Sequence, residues 1–236
     1  MRIDSMVGPK KQVGKVIKKL ELAEKVFEMV VSLPETLLFK PGQYVSLRVS
    51  ESGIRRSYSV VEYASGNIKL LVDVGPAGLG SVFLENIKVG EALEVMGFFG
   101  NFVVDRNELE DKKTVYFVAT GTGIAPFLPM IHKLKSFYTG KVILWWGVRY
   151  ERRLYWQQEL KDMETSWSNF SYEIYMSRPE EGWKGKMGRV GDDLDGVNAE
   201  NTSWYLCGAT EMIEQMKERL LLKGVSETDI NYEKFF

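Results

Sequence analysis

The segment Ala119-Thr-Gly-Thr-Gly-Ile-Ala-Pro-Phe127 follows a continuous apolar run and opens a helical pattern. Glycines at such a turn let the backbone bend sharply and approach a diphosphate at the positive end of a helix. Pro126 stands where the third glycine of a full G-x-G-x-x-G fingerprint would be, so by itself Thr120-Gly121-Thr122-Gly123 is equally consistent with a tight structural turn. Ile54-Arg-Arg-Ser-Tyr-Ser-Val60 puts Arg56 and Tyr58 on one side of a strand by the period of two, with Ser59 next to them. Arginine can grip a diphosphate bidentately, and tyrosine can lie flat on an aromatic ring. Gly78-Leu-Gly-Ser-Val-Phe83 is a second glycine turn into a short helix, with Ser81 expected at its N-cap, and so a second anion site. An exposed arginine, a core tyrosine and an ordinary capped helix are the alternative readings of these residues.

Other chemistries lack their residues. One cysteine, Cys207, excludes an internal disulfide framework, a cysteine-based zinc site and a cysteine-ligated iron–sulfur cluster, and points to a reducing compartment. One histidine, His132, gives no support for a Ser-His-Asp triad. Lys and Arg number 31 against 32 Asp and Glu, so no global field draws the chain to nucleic acid or anionic membrane. The N-terminal residues carry Arg2, Asp4, Lys10 and Lys11 with no apolar region behind them, which is unlike a secretory signal. The uncharged stretch Thr114–Ile131 is long enough to span a membrane, but its glycines, prolines and threonines mark it as strand, turn and helix start.

The elements that must position these residues change character near residue 112. Before it, Val26–Leu33, Tyr44–Val49, Arg56–Val61, Ile68–Val74 and Leu93–Met96 are short segments of period two, as in Phe27, Met29, Val31 and Leu33. Five or six such strands in about a hundred residues predict a small antiparallel barrel. After it, apolar runs at Thr114–Ala119, Lys141–Trp146, Phe170–Met176 and Trp204–Cys207 read as parallel strands buried on both faces. Helical patterns at 124–137, 154–163 and 211–223 alternate with them. In the last, Met212, Met216 and Leu220 repeat every fourth residue, Thr210 can cap the start, and Lys223-Gly224 can end it. The expected division is a barrel domain at 1–111 and an α/β domain at 112–236.

The order Arg56-Ser-Tyr-Ser59, Gly78-Leu-Gly-Ser81, Gly121-Thr-Gly-Ile-Ala-Pro126, Leu206-Cys-Gly-Ala209 and Glu233-Lys-Phe235 resembles the ferredoxin-NADP reductase family of flavoproteins, over nearly the whole chain. The resemblance implies a Greek-key FAD-binding barrel followed by a nucleotide-binding α/β domain. It assigns Arg56 to the flavin diphosphate, Tyr58 to the isoalloxazine face and Ser59 to the ring nitrogen that accepts the hydride. Gly78, Gly80 and Ser81 would hold the diphosphate from the other side, and Val72 also falls among the flavin-binding residues. Thr120, Gly121, Thr122, Gly123 and Pro126 would bind the nicotinamide dinucleotide, with Cys207 and Gly208 beside its reactive ring. Glu233 and Phe235 match the family's acidic and aromatic C-terminal pair, with Phe in place of the usual tyrosine and Phe236 following; one of the two phenylalanines would cover the flavin. Ser59, Cys207 and Glu233 are thus the expected catalytic residues.

The implied activity is transfer of electrons from NADPH or NADH through FAD to a separate carrier: a ferredoxin, a flavodoxin or an oxygenase component, in the cytoplasm. An NAD(P)H:flavin reductase and a noncatalytic flavin-binding subunit of a larger complex are the alternatives. Ser177-Arg178 after a strand, with Arg189 further on, supplies hydroxyl and guanidinium groups that suit a 2′-phosphate and favour NADPH. Glu180 and Glu181 could instead take a bare ribose, as NADH requires.

Overall fold

The computed structural model describes residues 9–235. The segment 1–8, read as lacking a secretory signal, and Phe236, read as a possible flavin cover, lie outside the described residues. Contacts divide the chain into two units. The first holds the chain up to Glu21 and Lys25–Val103; the second holds Leu22–Glu24 and the chain from Val104 onward.

The first unit contains six strands: β1 (Lys10–Ala23), β2 (Val26–Ser32), β3 (Tyr44–Arg48), β4 (Arg55–Ala64), β5 (Asn67–Asp73) and β6 (Ala92–Phe99). They close into a barrel in the order β1-β2-β5-β4-β3-β6, a Greek-key arrangement. Alternate residues of each strand, among them Met29, Val31, Val45, Leu47, Ile68 and Leu70, fill its interior. Helix α1 (Leu79–Asn86) follows β5.

β1 is a strand that periodicity did not find. Its inward positions are Gln12, Gly14 and Val16, whereas the apolar Val13, Ile17 and Leu20 are exposed. Gln12 is satisfied in the wall: its side-chain amide donates to the Glu35 carbonyl, and its oxygen accepts the Glu35 N–H. A Cβ on Gly14 would stand 2.7 Å from Val31 Cγ1, so β1 reaches its place only with glycine there.

The second unit is a six-stranded parallel sheet in the order β10-β9-β8-β7-β11-β12. Its strands are β7 (Thr114–Thr120), β8 (Lys141–Val148), β9 (Phe170–Met176), β10 (Lys186–Met187), β11 (Thr202–Ala209) and β12 (Ile230–Phe235). Between them run α2 (Phe127–Lys135), α3 (Gln157–Ser166) and α4 (Thr210–Leu222). One face carries Tyr116, Trp145, Trp204 and Leu206 against Met212, Met216 and Leu220 of α4. On the other face Phe117 packs against Phe127 of α2 and against Tyr205. The apolar stretch 114–131 is β7, a 3-10 turn at Gly121–Ile124 and most of α2. Among the described residues no helix is long and apolar enough to cross a membrane.

Two local expectations are corrected. β9 is not buried on both faces: Ser171 is exposed and Tyr172–Ile174 are half-buried, because only the two-residue β10 flanks its outer edge. Thr210 is the first residue of α4 rather than its cap; Ala209 occupies the N-cap without a side-chain hydrogen bond. Lys223 is the C-cap, and Gly224 follows in the left-handed region at φ 83°.

Candidate functional site

In the barrel, β4 lies against β5 only from Val60 to Ala64, while Arg55–Ser59 pair with β3. β5 in turn continues to Asp73 paired with β2. The β4–β5 ladder therefore ends at Val60, and the seam opens beside Tyr58 and Ser59.

Arg56 and Tyr58 lie together on one side, as the period of two required. A Cβ on Gly80 would stand 2.9 Å from Arg56 Cγ and 3.1 Å from Tyr58 Oη, so α1 closes on this pair because residue 80 has no side chain. The two adjacent arginines differ in what holds them. Arg55 donates to the Ser46 hydroxyl at 3.1 Å and forms an ion pair with Glu94 at 2.5 Å. Lys11 and Arg55 together hold the Glu94 carboxyl below the ordinary carboxylate range. Arg56 is exposed, donates to the Arg55 carbonyl at 2.9 Å, and has no carboxylate partner among the described residues. Burial pushes the Tyr58 phenol up to about 12 despite the Arg56 charge, so the ring is neutral. Ser59 is buried at 4% exposure.

Two barrel assignments change. Ser81 does not cap α1: Gly78 is the N-cap, and the Ser81 hydroxyl instead donates to the Asp73 carbonyl at 3.3 Å, tying the helix to the end of β5. Val72 does not face the seam, because its side chain is in the barrel core. The Val74 N–H bonds the Lys25 carbonyl, and by alternation the peptide groups of Val72 point to β2. Leu71 and Asp73 are the residues of β5 that face the β4 side.

In the sheet, chain order runs outward from β7 through β8 to β9, then returns to β11 on the other side of β7. That reversal is a topological switch point, the position at which open α/β sheets take ligands beyond the carboxyl ends of their strands. Thr120, Gly121, Thr122 and Gly123 stand at the end of β7, and Cys207 and Gly208 at the paired end of β11. Pro126 is the N-cap of α2. Gly121 has φ 54° with open space where a Cβ would be, and makes the turn. The lack of a side chain at Gly123 serves the packing of this turn on β11: a Cβ there would overlap the Cys207 carbonyl group. A Cβ on Gly208 would likewise overlap the Thr120 hydroxyl oxygen, which accepts the Ala209 N–H at 2.9 Å. These two glycines let the two strand ends close on each other.

Cys207 is wholly buried, and burial, reinforced by the Glu233 charge, pushes its thiol well above the ordinary range. The thiol is therefore held neutral. Glu233 is opposite Cys207, and Phe235 opposite Ala209, in the β11–β12 register. Phe235 is thus a half-buried strand residue, not part of a free tail.

Ser177 and Arg178 are exposed at the end of β9, but Arg178 and Arg189 do not share a partner. Arg178 donates to the Tyr150 hydroxyl at 3.0 Å; Arg189 bonds Glu211 at 3.1 Å. The groups that join Arg178 are ones the sequence reading missed: Arg149 and Arg152 lie 5.4 and 4.1 Å from the Tyr150 ring centroid. The Arg178 hydrogen bond, with the three guanidinium charges, lowers the Tyr150 phenol from its ordinary value. The signal was present in Arg149-Tyr-Glu-Arg-Arg153, a basic and aromatic run directly after a buried strand.

A Greek-key barrel with a split seam stands in one chain with a doubly covered parallel sheet whose switch point carries a glycine turn. The chain matches the oxidoreductase FAD-binding domain over residues 13–104 and the oxidoreductase NAD-binding domain over residues 117–218. It belongs to the ferredoxin-NADP reductase family of flavoproteins. The anthranilate 1,2-dioxygenase electron transfer component of Acinetobacter baylyi is 32% identical over 203 residues, covering 84% of this chain and 58% of that protein. Ferredoxin–NADP reductase B of Sorangium cellulosum is 27% identical, covering 85% of this chain and 87% of that protein. The crystal structure of an Amycolatopsis cytochrome P450 reductase superposes with a TM-score of 0.89 at 25% identity, over 96% of this chain and 70% of that one. The chain spans only about six-tenths of the length of the first curated relatives it matches, 58% and 59%.

Proposed function

We propose that this chain is a reductase that takes electrons from NAD(P)H into FAD and delivers them singly to a separate carrier: a ferredoxin, a flavodoxin or an oxygenase component. The observation that carries the reading is the pairing of an FAD-binding barrel and an NAD-binding sheet in one chain, together with a relative that is an oxygenase electron transfer component. The residues fit FAD: Gly80 leaves a cradle against Arg56 and Tyr58, beside the point where the β4–β5 ladder stops. Bound there, the flavin would supply a centre that accepts a hydride and releases electrons one at a time.

In this reading the barrel domain, 1–111, holds the cofactor. Arg56 neutralises the diphosphate, Tyr58 lies against the ring system, and Ser59 donates a hydrogen bond at the reacting nitrogen. Gly78, Gly80 and Ser81 shape the opposite wall. The α/β domain, 112–236, binds the dinucleotide with Thr120–Gly123, while Gly208, Cys207 and Glu233 wall the nicotinamide side. The lone buried thiol suits a reducing cytoplasm. Purified protein should be yellow and should bleach with NAD(P)H in the absence of oxygen, and added ferredoxin should restore the colour. Turnover with free FMN and none with any ferredoxin would establish a flavin reductase; failure to bleach at all would leave a noncatalytic subunit.

For the coenzyme we propose NADPH, with Arg178 and Arg149 on the 2′-phosphate. Replacing both by alanine should lower kcat/KM for NADPH by roughly a hundredfold, as loss of charge-assisted contacts predicts. The value for NADH should stay within about threefold of the parent protein, since its ribose carries no phosphate for them to hold. A wild-type preference for NADH that survives the substitution would reject this choice.

A further inference from the structure

The Gly121 carbonyl accepts two hydrogen bonds, from Trp146 Nε1 at 2.9 Å and from the Tyr155 hydroxyl at 3.2 Å. The two donors are themselves locked: Trp146 is fully buried, and the Tyr155 ring meets it edge-on with centroids 4.8 Å apart. Trp156, next in sequence, holds φ 54° as the N-cap of α3, a conformation rare for a bulky residue, and is buried with Tyr155. Trp146 belongs to β8 and Tyr155 to the segment after it, whereas β11 borders the opposite edge of β7.

We propose that Trp146 and Tyr155 are positioning residues for dinucleotide binding: by drawing the Gly121 carbonyl toward β8, they aim the Thr122 N–H at the pyrophosphate in the crevice. This rests on the dinucleotide reading of that crevice. A trans peptide sets its C=O and N–H in opposite directions, so fixing one fixes the other. Gly121 has no side chain to resist rotation of this peptide plane, and its left-handed φ with open space around it makes the plane easy to flip without an anchor. Two donors on one carbonyl supply that anchor before the ligand arrives, so less ordering is left for binding to accomplish.

The test uses the whole protein with FAD bound and ADP-ribose as probe, which carries the pyrophosphate but no nicotinamide. Tyr155→Phe keeps the ring packing and removes one donor; Trp146→Phe removes the other. Each should weaken ADP-ribose binding by roughly threefold to tenfold, the scale of one lost hydrogen bond. The Thr122 amide resonance, which should move on titration in the parent protein, should move less in either variant. The limiting rate of flavin reduction at saturating coenzyme should stay within about twofold. Equal affinity and an equal Thr122 shift in both variants, with parent protein that binds ADP-ribose, would overturn the positioning role alone. Parent protein that binds no ADP-ribose would overturn the dinucleotide reading and this inference with it. Because Trp146 is buried, Tyr155→Phe decides the matter if Trp146→Phe does not fold.

Discussion

Gly123→Ala should lower the melting temperature of the α/β domain by about 10 °C and abolish dinucleotide binding. The added Cβ would overlap the Cys207 carbonyl and stand 2.9 Å from Gly208 Cα. Those neighbours are backbone of a central strand, so no rotamer change can relieve the contact. Either the 3-10 turn lifts off β11 or β11 bends, and overpacking of this kind costs about 3 kcal/mol. For a domain of this size that corresponds to the stated shift. Two controls separate packing from simple loss of glycine. Gly121→Ala meets open space but must hold φ 54°, a strain of about 1 kcal/mol. It should cost less stability and act mainly on binding. Gly78→Ala meets open space at φ −74° and should melt like the parent protein. Differential scanning calorimetry of the three variants checks the order. A Gly123→Ala protein that melts with the parent would refute the claim that this glycine exists for strand packing.

That reassignment shows where the sequence was legible and where it was not. A glycine turn after an apolar strand was visible as a pattern, and so was the strand itself, because parallel strands buried on both faces leave uninterrupted apolar runs. Which glycine faces a ligand and which faces β11 depends on strand order, and no local pattern carries strand order. The same limit hid the separation of Arg178 from Arg189, which only the path of the chain from β9 to β11 decides. β1 failed for a different reason. Its inward face sets only Val16 beside a hydrogen-bonded Gln12 and a close-packed Gly14, while Val13, Ile17 and Leu20 point outward, so period-two reading finds hydrophobicity on the wrong face. The Arg56–Tyr58 pair was legible because a strand's alternation fixes the side on which each residue lies. Its engagement by Gly80 was not, since α1 arrives from more than twenty residues away.

Arg56→Ala should strip FAD from the protein without unfolding it, whereas Arg55→Ala should unfold it more readily without stripping FAD. The two side chains are neighbours in sequence and point to opposite sides of β4. The Arg55 guanidinium bridges Ser46 on β3 and Glu94 on β6, and its removal leaves Glu94 to Lys11 and the more distant Arg48. Arg56 contributes no ion pair to the fold among the described residues and sits against the Gly80 cradle. Loss of a charge-assisted contact worth about 1.5–3 kcal/mol predicts a fall in FAD affinity of roughly ten- to a hundredfold. Ser59→Ala, at a residue buried in the lip of the seam, should leave FAD bound and slow its reduction by NAD(P)H by roughly tenfold, or about 1.4 kcal/mol. Because the Tyr58 phenol is pushed up to about 12, it stays neutral through the ordinary working range, and FAD content should be flat from about pH 6 to about pH 10 on its account. The checks are the flavin-to-protein absorbance ratio after gel filtration, the melting temperature of the apoprotein, and anaerobic stopped-flow reduction. If Arg56→Ala and Arg55→Ala lose FAD equally, the diphosphate is not held from the Gly80 side of β4, and the flavin must be sought elsewhere on the barrel.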